Sequence, residues 1–259
     1  MRAIAQEGPI YRAFLRFSCL SALTLLACAR ANPPPESEDV TIQLANGDAL
    51  HGTLFTPANP SPPALLLLPM LGSDRNAWEG FARAASADGY MVLAVDLRAN
   101  GDAGSRRSSA DTYPADARVR LDLPATLRYL VDRGADPDNL AIAGASLGAN
   151  LALKFAARHP EIQAVIMLSP GENYRGVAAL PELEIYVRRP LLLMSSEGDS
   201  YSASTARKMQ SLADENYCEL RMYRGSSHGT DLLSAIPGTS GEILAWLEPI
   251  LAANAAKTP

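Results

Sequence analysis

Five short stretches of the 259-residue chain consist entirely of apolar residues, and segments with apolar residues at helical spacing separate them. A short uninterrupted apolar run is typical of a strand that is buried on both faces of a parallel sheet. Strands that alternate with helices require right-handed crossovers, which place helices on both faces of the sheet. The pattern therefore predicts an α/β fold with a mostly parallel central sheet. The five runs are residues 64–68, 91–95, 140–143, 164–168 and 191–194.

The segments around these runs complete the predicted domain. Residues 40–44 and 50–55 alternate like two strands, and Asn46-Gly47 between them is typical of the positive-φ residues of a tight hairpin turn. Residues 171–189 leave room for only a small cap before Pro190. No linker divides residues 40–255, which we interpret as one domain. Further elements are a strand at 219–223 and helices at 78–88, 115–132, 147–158, 203–215 and 241–251.

The N-terminal region has the composition of a targeting segment. Residues 17–27 form an uncharged apolar run, preceded by three arginines, as in a secretory signal. A membrane-spanning helix needs about 20 apolar residues, so this run is too short. It ends in Leu25-Leu26-Ala27-Cys28, which resembles the lipobox of bacterial lipoproteins.

That resemblance implies that residues 1–27 are a signal peptide and that Cys28 carries a lipid that attaches the protein to a membrane. Residues 28–39 are proline-rich, as expected of an extended tether. Ala29 after the cysteine fits export to the periplasmic side of the outer membrane of a Gram-negative bacterium. An ordinary signal peptide cleaved nearby, or a start codon placed too early, are the alternatives.

Composition excludes several classes of protein. The chain is 47% hydrophobic and 20% charged, which is ordinary for a folded soluble domain. Its net charge of −5, without clustered basic residues, argues against a nucleic-acid partner. Three cysteines without a CxxC pair, and three histidines, supply neither a disulfide framework nor a structural zinc site. We expect Cys218 to be a buried small hydrophobe.

A GxSxG motif, Gly144-Ala145-Ser146-Leu147-Gly148, lies where a predicted buried strand meets a predicted helix. A GxSxG motif in this strand-turn-helix context is typical of a nucleophilic serine. A serine on this strained turn is exposed above the sheet, and the glycines remove side chains that would collide there. The helix that begins at Leu147 directs free N–H groups toward the same point, where they stabilise an oxyanion. Ser146 is therefore the candidate nucleophile.

A serine hydroxyl needs a neighbouring base, and three histidines are available. His51 lies in the opening hairpin and His159 at the end of a helix, where structural roles are common. His228 lies in a loop between the last strand and the last helix, which favours it as the base.

The base needs an acid that holds its tautomer. Asp199 and Asp96 each follow a predicted strand, and ligands bind at this edge of open α/β sheets. Glu197 is a further candidate. Tyr201 either lines the pocket or packs under the following helix.

Over residues 40–255 the chain resembles α/β-hydrolases of the dienelactone hydrolase-like and serine-esterase type. Besides the GxSxG motif, the segment 69–73 occupies the place of that superfamily's His-Gly oxyanion loop, and the segment 96–101 resembles its Asp-x-Arg-Gly-x-Gly turn. The family's chain order of Ser, Asp, His selects Asp199 as the acid and leaves Asp96 a structural role. The resemblance implies an oxyanion hole formed by the N–H groups of Leu71 and Leu147, with Met70 as the alternative first donor.

These residues predict a serine hydrolase that cleaves small carboxylic esters or related acyl compounds through an acyl-enzyme, without a metal or cofactor. Dienelactone hydrolases often use a cysteine where this chain has Ser146, so lactone chemistry does not follow from the resemblance. A serine peptidase similar to the catalytic domain of prolyl oligopeptidases is one alternative. The other is a non-catalytic, lipid-anchored binding protein.

Overall fold

A computed structural model describes residues 36–97 and 122–255. Several predicted features lie outside these ranges: the signal peptide, Cys28, most of the tether, residues 98–101 of the predicted turn, and the start of the helix predicted from residue 115. The strands are β1 (Glu36–Gln43), β2 (Ala49–Thr56), β3 (Ala64–Leu68), β4 (Met91–Val95), β5 (Leu140–Ala145), β6 (Ile162–Leu168), β7 (Asn173–Tyr174), β8 (Val177–Ala178), β9 (Leu191–Ser196) and β10 (Cys218–Tyr223).

A 3-10 turn (Arg75–Trp78) precedes the first helix. The helices are α1 (Glu79–Ala87), α2 (Leu123–Asp132), α3 (Leu147–Ala156), α4 (Leu180–Ile185), α5 (Ser200–Leu212), α6 (Asp231–Ala235) and α7 (Thr239–Ala255). No helix in the two described ranges combines the length and apolar character needed to cross a bilayer.

Eight strands form one sheet in the order β1-β2-β4-β3-β5-β6-β9-β10. β1 and β2 are antiparallel, and β2 is antiparallel to β4. The other five neighbouring pairs of this sheet are parallel, namely β4-β3, β3-β5, β5-β6, β6-β9 and β9-β10. The predicted α/β fold, with a mostly parallel sheet opened by an antiparallel hairpin, is confirmed. β7 and β8 form a separate two-stranded sheet, which with α4 makes the small cap.

The sheet is covered on both faces, as the continuous apolar runs predict. Leu66 and Leu68 of β3 face one cluster of buried side chains, which includes Phe155 of α3. Leu65 and Leu67 face the other cluster, which includes Leu247 of α7. Because successive side chains of a strand point to opposite faces, a strand between two helical layers must be apolar at every position.

The opening hairpin differs from the prediction in two respects. β1 begins at Glu36, so residues 36–39, which the sequence places in the tether, pair with β2. Gly47 takes a positive φ of 87°, and Asn46 does not, so the prediction for Asn46 was wrong. The Gly47 amide donates to the Leu44 carbonyl at 3.0 Å, which closes a three-residue loop with glycine in its left-handed position.

Candidate active site

Ser146 stands between β5 and α3 with φ of 53° and ψ of −115°, a conformation that non-glycine residues seldom adopt. A Cβ on Gly144 would lie 2.1 Å from the Gly148 carbonyl oxygen, and a Cβ on Gly148 would lie 2.5 Å from the Pro69 carbonyl oxygen. Neither position has room for a side chain. The two glycines therefore permit the tight strand-to-helix turn that the motif predicts.

The N-terminus of α3 offers hydrogen-bond donors beside this serine. The Ser146 carbonyl accepts from the Ala149 amide at 3.0 Å. Within the part of the chain that the structure describes, the amides of Leu147 and Gly148 donate no backbone hydrogen bond. Such free amides at the positive end of a helix are suited to bind an oxyanion.

The loop after β3 lies against the same turn. Its Leu68 and Pro69 carbonyls closely approach Gly148, and the Met70 sulfur would lie 2.9 Å from a Cβ on Gly229, the residue after His228. The Leu71 amide also makes no backbone hydrogen bond within the described ranges. The structure thus places this loop between the serine turn and the loop that carries His228.

Asp199 and His228 lie together at the carboxyl ends of two neighbouring parallel strands, β9 and β10. His228 Nδ1 and Asp199 Oδ2 are 2.7 Å apart. The Asp199 side chain is 15% exposed and the His228 side chain is 37% exposed, so the carboxylate is shielded while the ring reaches solvent. The Gly198 amide donates to the Gly225 carbonyl at 2.7 Å, which joins the two loops directly.

Ser169 supports the loop that carries His228, and sequence reasoning did not find it. It follows β6, is fully buried, and has a φ of 53°. Its hydroxyl accepts a hydrogen bond from the Gly229 amide at 2.9 Å. The signal that could have identified it is a Ser-Pro-Gly segment, residues 169–171, directly after a buried strand.

The other candidate acids have different surroundings. Asp96 lies at the end of β4 and accepts a hydrogen bond from the Arg75 amide at 2.8 Å, and it also pairs with the Arg75 guanidinium. It therefore holds the loop that contains the 3-10 turn, as its expected structural role requires. Glu197 is exposed.

The other histidines occupy structural positions. In the β1–β2 hairpin, His51 Nδ1 lies 3.4 Å from Thr41 Oγ1. His159 follows α3, and its Nδ1 lies 2.8 Å from Glu161 Oε1. Its ring centroid is 3.9 Å from that of Phe155. These contacts suit residues that stabilise the fold.

Tyr174, in the cap strand β7, reaches the site and was not found by sequence reasoning. Its ring packs edge-on against His228 with centroids 6.3 Å apart. Burial raises the pKa of Tyr174, and hydrogen bonding with the Ser202 and Ser146 side chains opposes the rise. No motif marks this tyrosine, because only folding brings the cap hairpin to His228.

Tyr201 packs on the cap hairpin. Its hydroxyl accepts from the Asn173 amide at 2.8 Å, and its ring lies edge-on to Tyr174 at 5.6 Å. Cys218 is a free, buried thiol at the start of β10, and burial raises its pKa to about 11. Among the described residues, no cluster of three or more His, Cys, Asp or Glu side chains could hold a metal ion.

Two curated relatives come from Mycobacterium tuberculosis. The uncharacterized protein Rv2715 is 30% identical over 143 residues, which are 51% of this chain and 39% of that protein. The uncharacterized protein Rv2307c is 29% identical over 160 residues, which are 61% of this chain and 54% of that protein. The chain thus spans about half or less of the length of these relatives.

Solved structures share the fold. The Pyrococcus furiosus esterase Pf2001 superposes with a TM-score of 0.65 at 18% identity, covering 84% of this chain and 92% of that one. The esterase domain of a Rhodothermus marinus protein superposes with a TM-score of 0.65 at 20% identity, covering 83% of this chain and 99% of that one. The α/β hydrolase GrgF from Penicillium superposes with a TM-score of 0.67 at 17% identity, covering 84% of this chain and 99% of that one.

The family model described as the alpha/beta hydrolase fold matches residues 63–217. This segment is more than half of the chain, and it runs from β3 through the serine turn, the cap and α5. It includes Ser146 and Asp199, whereas β1, β2 and His228 lie outside it. The chain belongs to the α/β-hydrolase fold family.

Proposed function

We propose that this protein is a serine hydrolase that cleaves carboxylic esters or related acyl compounds. The observation that carries the proposal is the 2.7 Å contact between His228 and Asp199, at the same edge of the sheet as a serine on a strained strand-to-helix turn. These are the parts that activate a serine hydroxyl: a base and an acid that orients the base.

In the proposed reaction, Ser146 Oγ attacks the acyl carbon while His228 Nε2 takes the hydroxyl proton. Asp199 accepts the Nδ1–H of His228, which selects the tautomer and stabilises the imidazolium. The amides of Leu71 and Leu147 donate to the oxyanion of the tetrahedral intermediate. His228 then returns the proton to the departing group, and water hydrolyses the acyl-enzyme by the same sequence of steps.

Two features support small or medium esters as the substrates. The cap consists of a two-residue-per-strand hairpin and the six-residue helix α4, which favours small or medium substrates over large ones. Two of the solved proteins that share the fold are named as an esterase and an esterase domain.

A fluorophosphonate probe tests the proposal directly, because it reacts covalently with an activated serine. We expect the wild type to be labelled and Ser146→Ala to be unlabelled while remaining folded. Ser211→Ala, which removes an exposed hydroxyl from α5, is the matched control and should be labelled like the wild type. Labelling that persists in Ser146→Ala, or a folded wild type that is not labelled, would contradict the proposal. Faster turnover of aminoacyl anilides than of p-nitrophenyl acyl esters would favour a peptidase.

We also propose that the mature protein begins at Cys28, which is lipid-modified and attaches the enzyme to the outer membrane. The apolar run before Cys28 and the prolines after it support this proposal. Mass spectrometry of the membrane fraction should find a lipidated N-terminal Cys28, and an unprocessed N-terminus would contradict it.

A further inference from the structure

The cap hairpin has a strongly specified shape. Arg175 and Gly176 form its turn with φ of 52° and 84°, as in a two-residue type I′ turn. The Gly176 amide donates to Asn173 Oδ1 at 2.8 Å. A non-glycine residue in the left-handed region costs about 1 kcal/mol or more, and such strain persists only where surrounding contacts hold it.

The helix that follows the serine holds both ends of this hairpin. Asn150 lies one turn into α3 and is fully buried. Its Nδ2 donates to the carbonyls of Gly171 at 2.7 Å and Val177 at 2.8 Å. Its Oδ1 accepts from the Gly171 amide at 3.2 Å. A single side chain therefore ties the cap to the helix that begins at the nucleophile.

The helix that follows Asp199 holds the hairpin from the other side. Besides accepting from the Asn173 amide, the Tyr201 hydroxyl donates to the Asn173 carbonyl at 3.2 Å. Lys208 Nζ pairs with Glu172 Oε1 at 2.8 Å. A Cβ on Gly171 would lie 2.3 Å from the Tyr174 ring, so the backbone also packs tightly against that ring. Tyr174 is thus fixed in place before any substrate binds.

The hydroxyl of this fixed tyrosine lies beside the loops that carry the base and its acid. It is 3.0 Å from Ser202 Oγ, on a side chain that is fully buried. The Tyr174 ring packs edge-on against His228, and hydrogen bonding with the Ser146 side chain opposes the rise in the pKa of Tyr174. The Tyr174 hydroxyl also donates to the Ser169 carbonyl, but that contact is long at 3.5 Å. When Ser202 donates to the phenol oxygen, the phenol proton can turn from this carbonyl to an acceptor on a substrate. Because Tyr174 packs against His228, the base that protonates the leaving group, that proton is available near the departing oxygen.

We propose that Tyr174 is a further catalytic residue, whose hydroxyl donates a hydrogen bond to the leaving-group oxygen of the substrate. The inference rests on the proposed function. As the bond between the acyl carbon and this oxygen breaks, its electron pair stays on the oxygen. His228 delivers the proton, while Tyr174 keeps its own proton and stabilises the developing negative charge. A preorganised donor of this kind costs no reorganisation at the moment of reaction.

This role predicts a dependence on the leaving group. A p-nitrophenolate ion delocalises its charge and needs little help, whereas a phenolate or an alkoxide concentrates charge on oxygen. The value of kcat/KM reports the steps up to acylation, in which the leaving group departs. Loss of the Tyr174 hydroxyl should therefore slow esters with poor leaving groups most.

The experiment compares Tyr174→Phe with the wild type on phenyl and p-nitrophenyl esters of the same acid. The phenylalanine keeps the ring packing on His228 and removes only the hydroxyl. We expect kcat/KM to fall about 10- to 100-fold for the phenyl ester and less than about threefold for the p-nitrophenyl ester, since loss of one preorganised donor costs up to 10²- to 10³-fold. Ser202→Ala should shift the ratio in the same direction by a smaller factor.

Tyr217→Phe is the matched control, because it removes a phenol hydroxyl at the opposite end of β10, and it should leave the ratio unchanged. Equal losses on both esters, or no loss in either Tyr174→Phe or Ser202→Ala, would overturn the inference. Fluorophosphonate labelling distinguishes failure of the proposed function from failure of the role of Tyr174. An unlabelled wild type refutes the proposed function, whereas labelled proteins with an unchanged ester ratio refute only the role of Tyr174.

Discussion

Replacing Gly148 with alanine tests whether the serine turn depends on close backbone contact. The added Cβ would lie 2.5 Å from the Pro69 oxygen, 2.6 Å from the Leu68 oxygen and 2.9 Å from the Leu68 carbonyl carbon. Ordinary contact begins at 3.4 Å, so the loop after β3 and α3 must separate by about 0.9 Å. All three atoms belong to the backbone, which cannot rotate away as a side chain can.

Two energies of opposite sign decide the effect on stability. Forcing one carbon into a packed site costs about 1–3 kcal/mol. Alanine in place of glycine inside a helix stabilises the folded state by about 1 kcal/mol. We therefore expect the free energy of unfolding to fall by up to about 2 kcal/mol. A displacement near 1 Å between the Leu71 and Leu147 amides should lower kcat/KM about 100-fold, because catalytic geometry tolerates little displacement.

Urea unfolding and hydrolysis of a p-nitrophenyl ester measure these two effects. Gly241→Ala is the matched control, since Gly241 lies within α7 and a Cβ there would meet nothing within 4 Å. This variant should be about 0.5–1 kcal/mol more stable than the wild type, with unchanged activity. A Gly148→Ala protein with wild-type stability and activity would refute the requirement for close approach.

Two further predictions concern buried groups. Asn150→Ala removes the side chain that bonds the Gly171 amide and the Gly171 and Val177 carbonyls. Each lost partner costs about 1 kcal/mol or more, so chemical denaturation should show the free energy of unfolding lowered by about 3 kcal/mol or more. A decrease below about 1 kcal/mol would show that these groups find other partners. Burial raises the pKa of Cys218 to about 11, so little reactive thiolate exists at pH 8. Iodoacetamide should modify Cys218 slowly in the native protein and rapidly in urea, as peptide mass spectrometry would show, and equal rates would contradict this.

Much of the fold could be predicted because its signals are local. Continuous apolar runs mark strands between two helical layers, and the predicted run at residues 91–95 coincides with β4. The glycines around Ser146 report a turn without room for side chains, which is a property of a few neighbouring residues. Both Asp96 and Asp199 follow parallel strands and so lie at the same edge of the sheet. Only the resemblance to α/β-hydrolases, whose chain order is Ser, Asp, His, ranks Asp199 above Asp96.

The tertiary structure alone decided which side chains meet. Asp199 and His228 are 29 residues apart in the chain, and only the pairing of β9 with β10 brings them within 2.7 Å. Tyr174 carries no sequence signal, because its position depends on bonds from Asn150 and Tyr201 on two different helices. Periodicity and motifs describe how a segment folds, whereas a site is built from contacts between distant segments, and those contacts exist only after the core has packed.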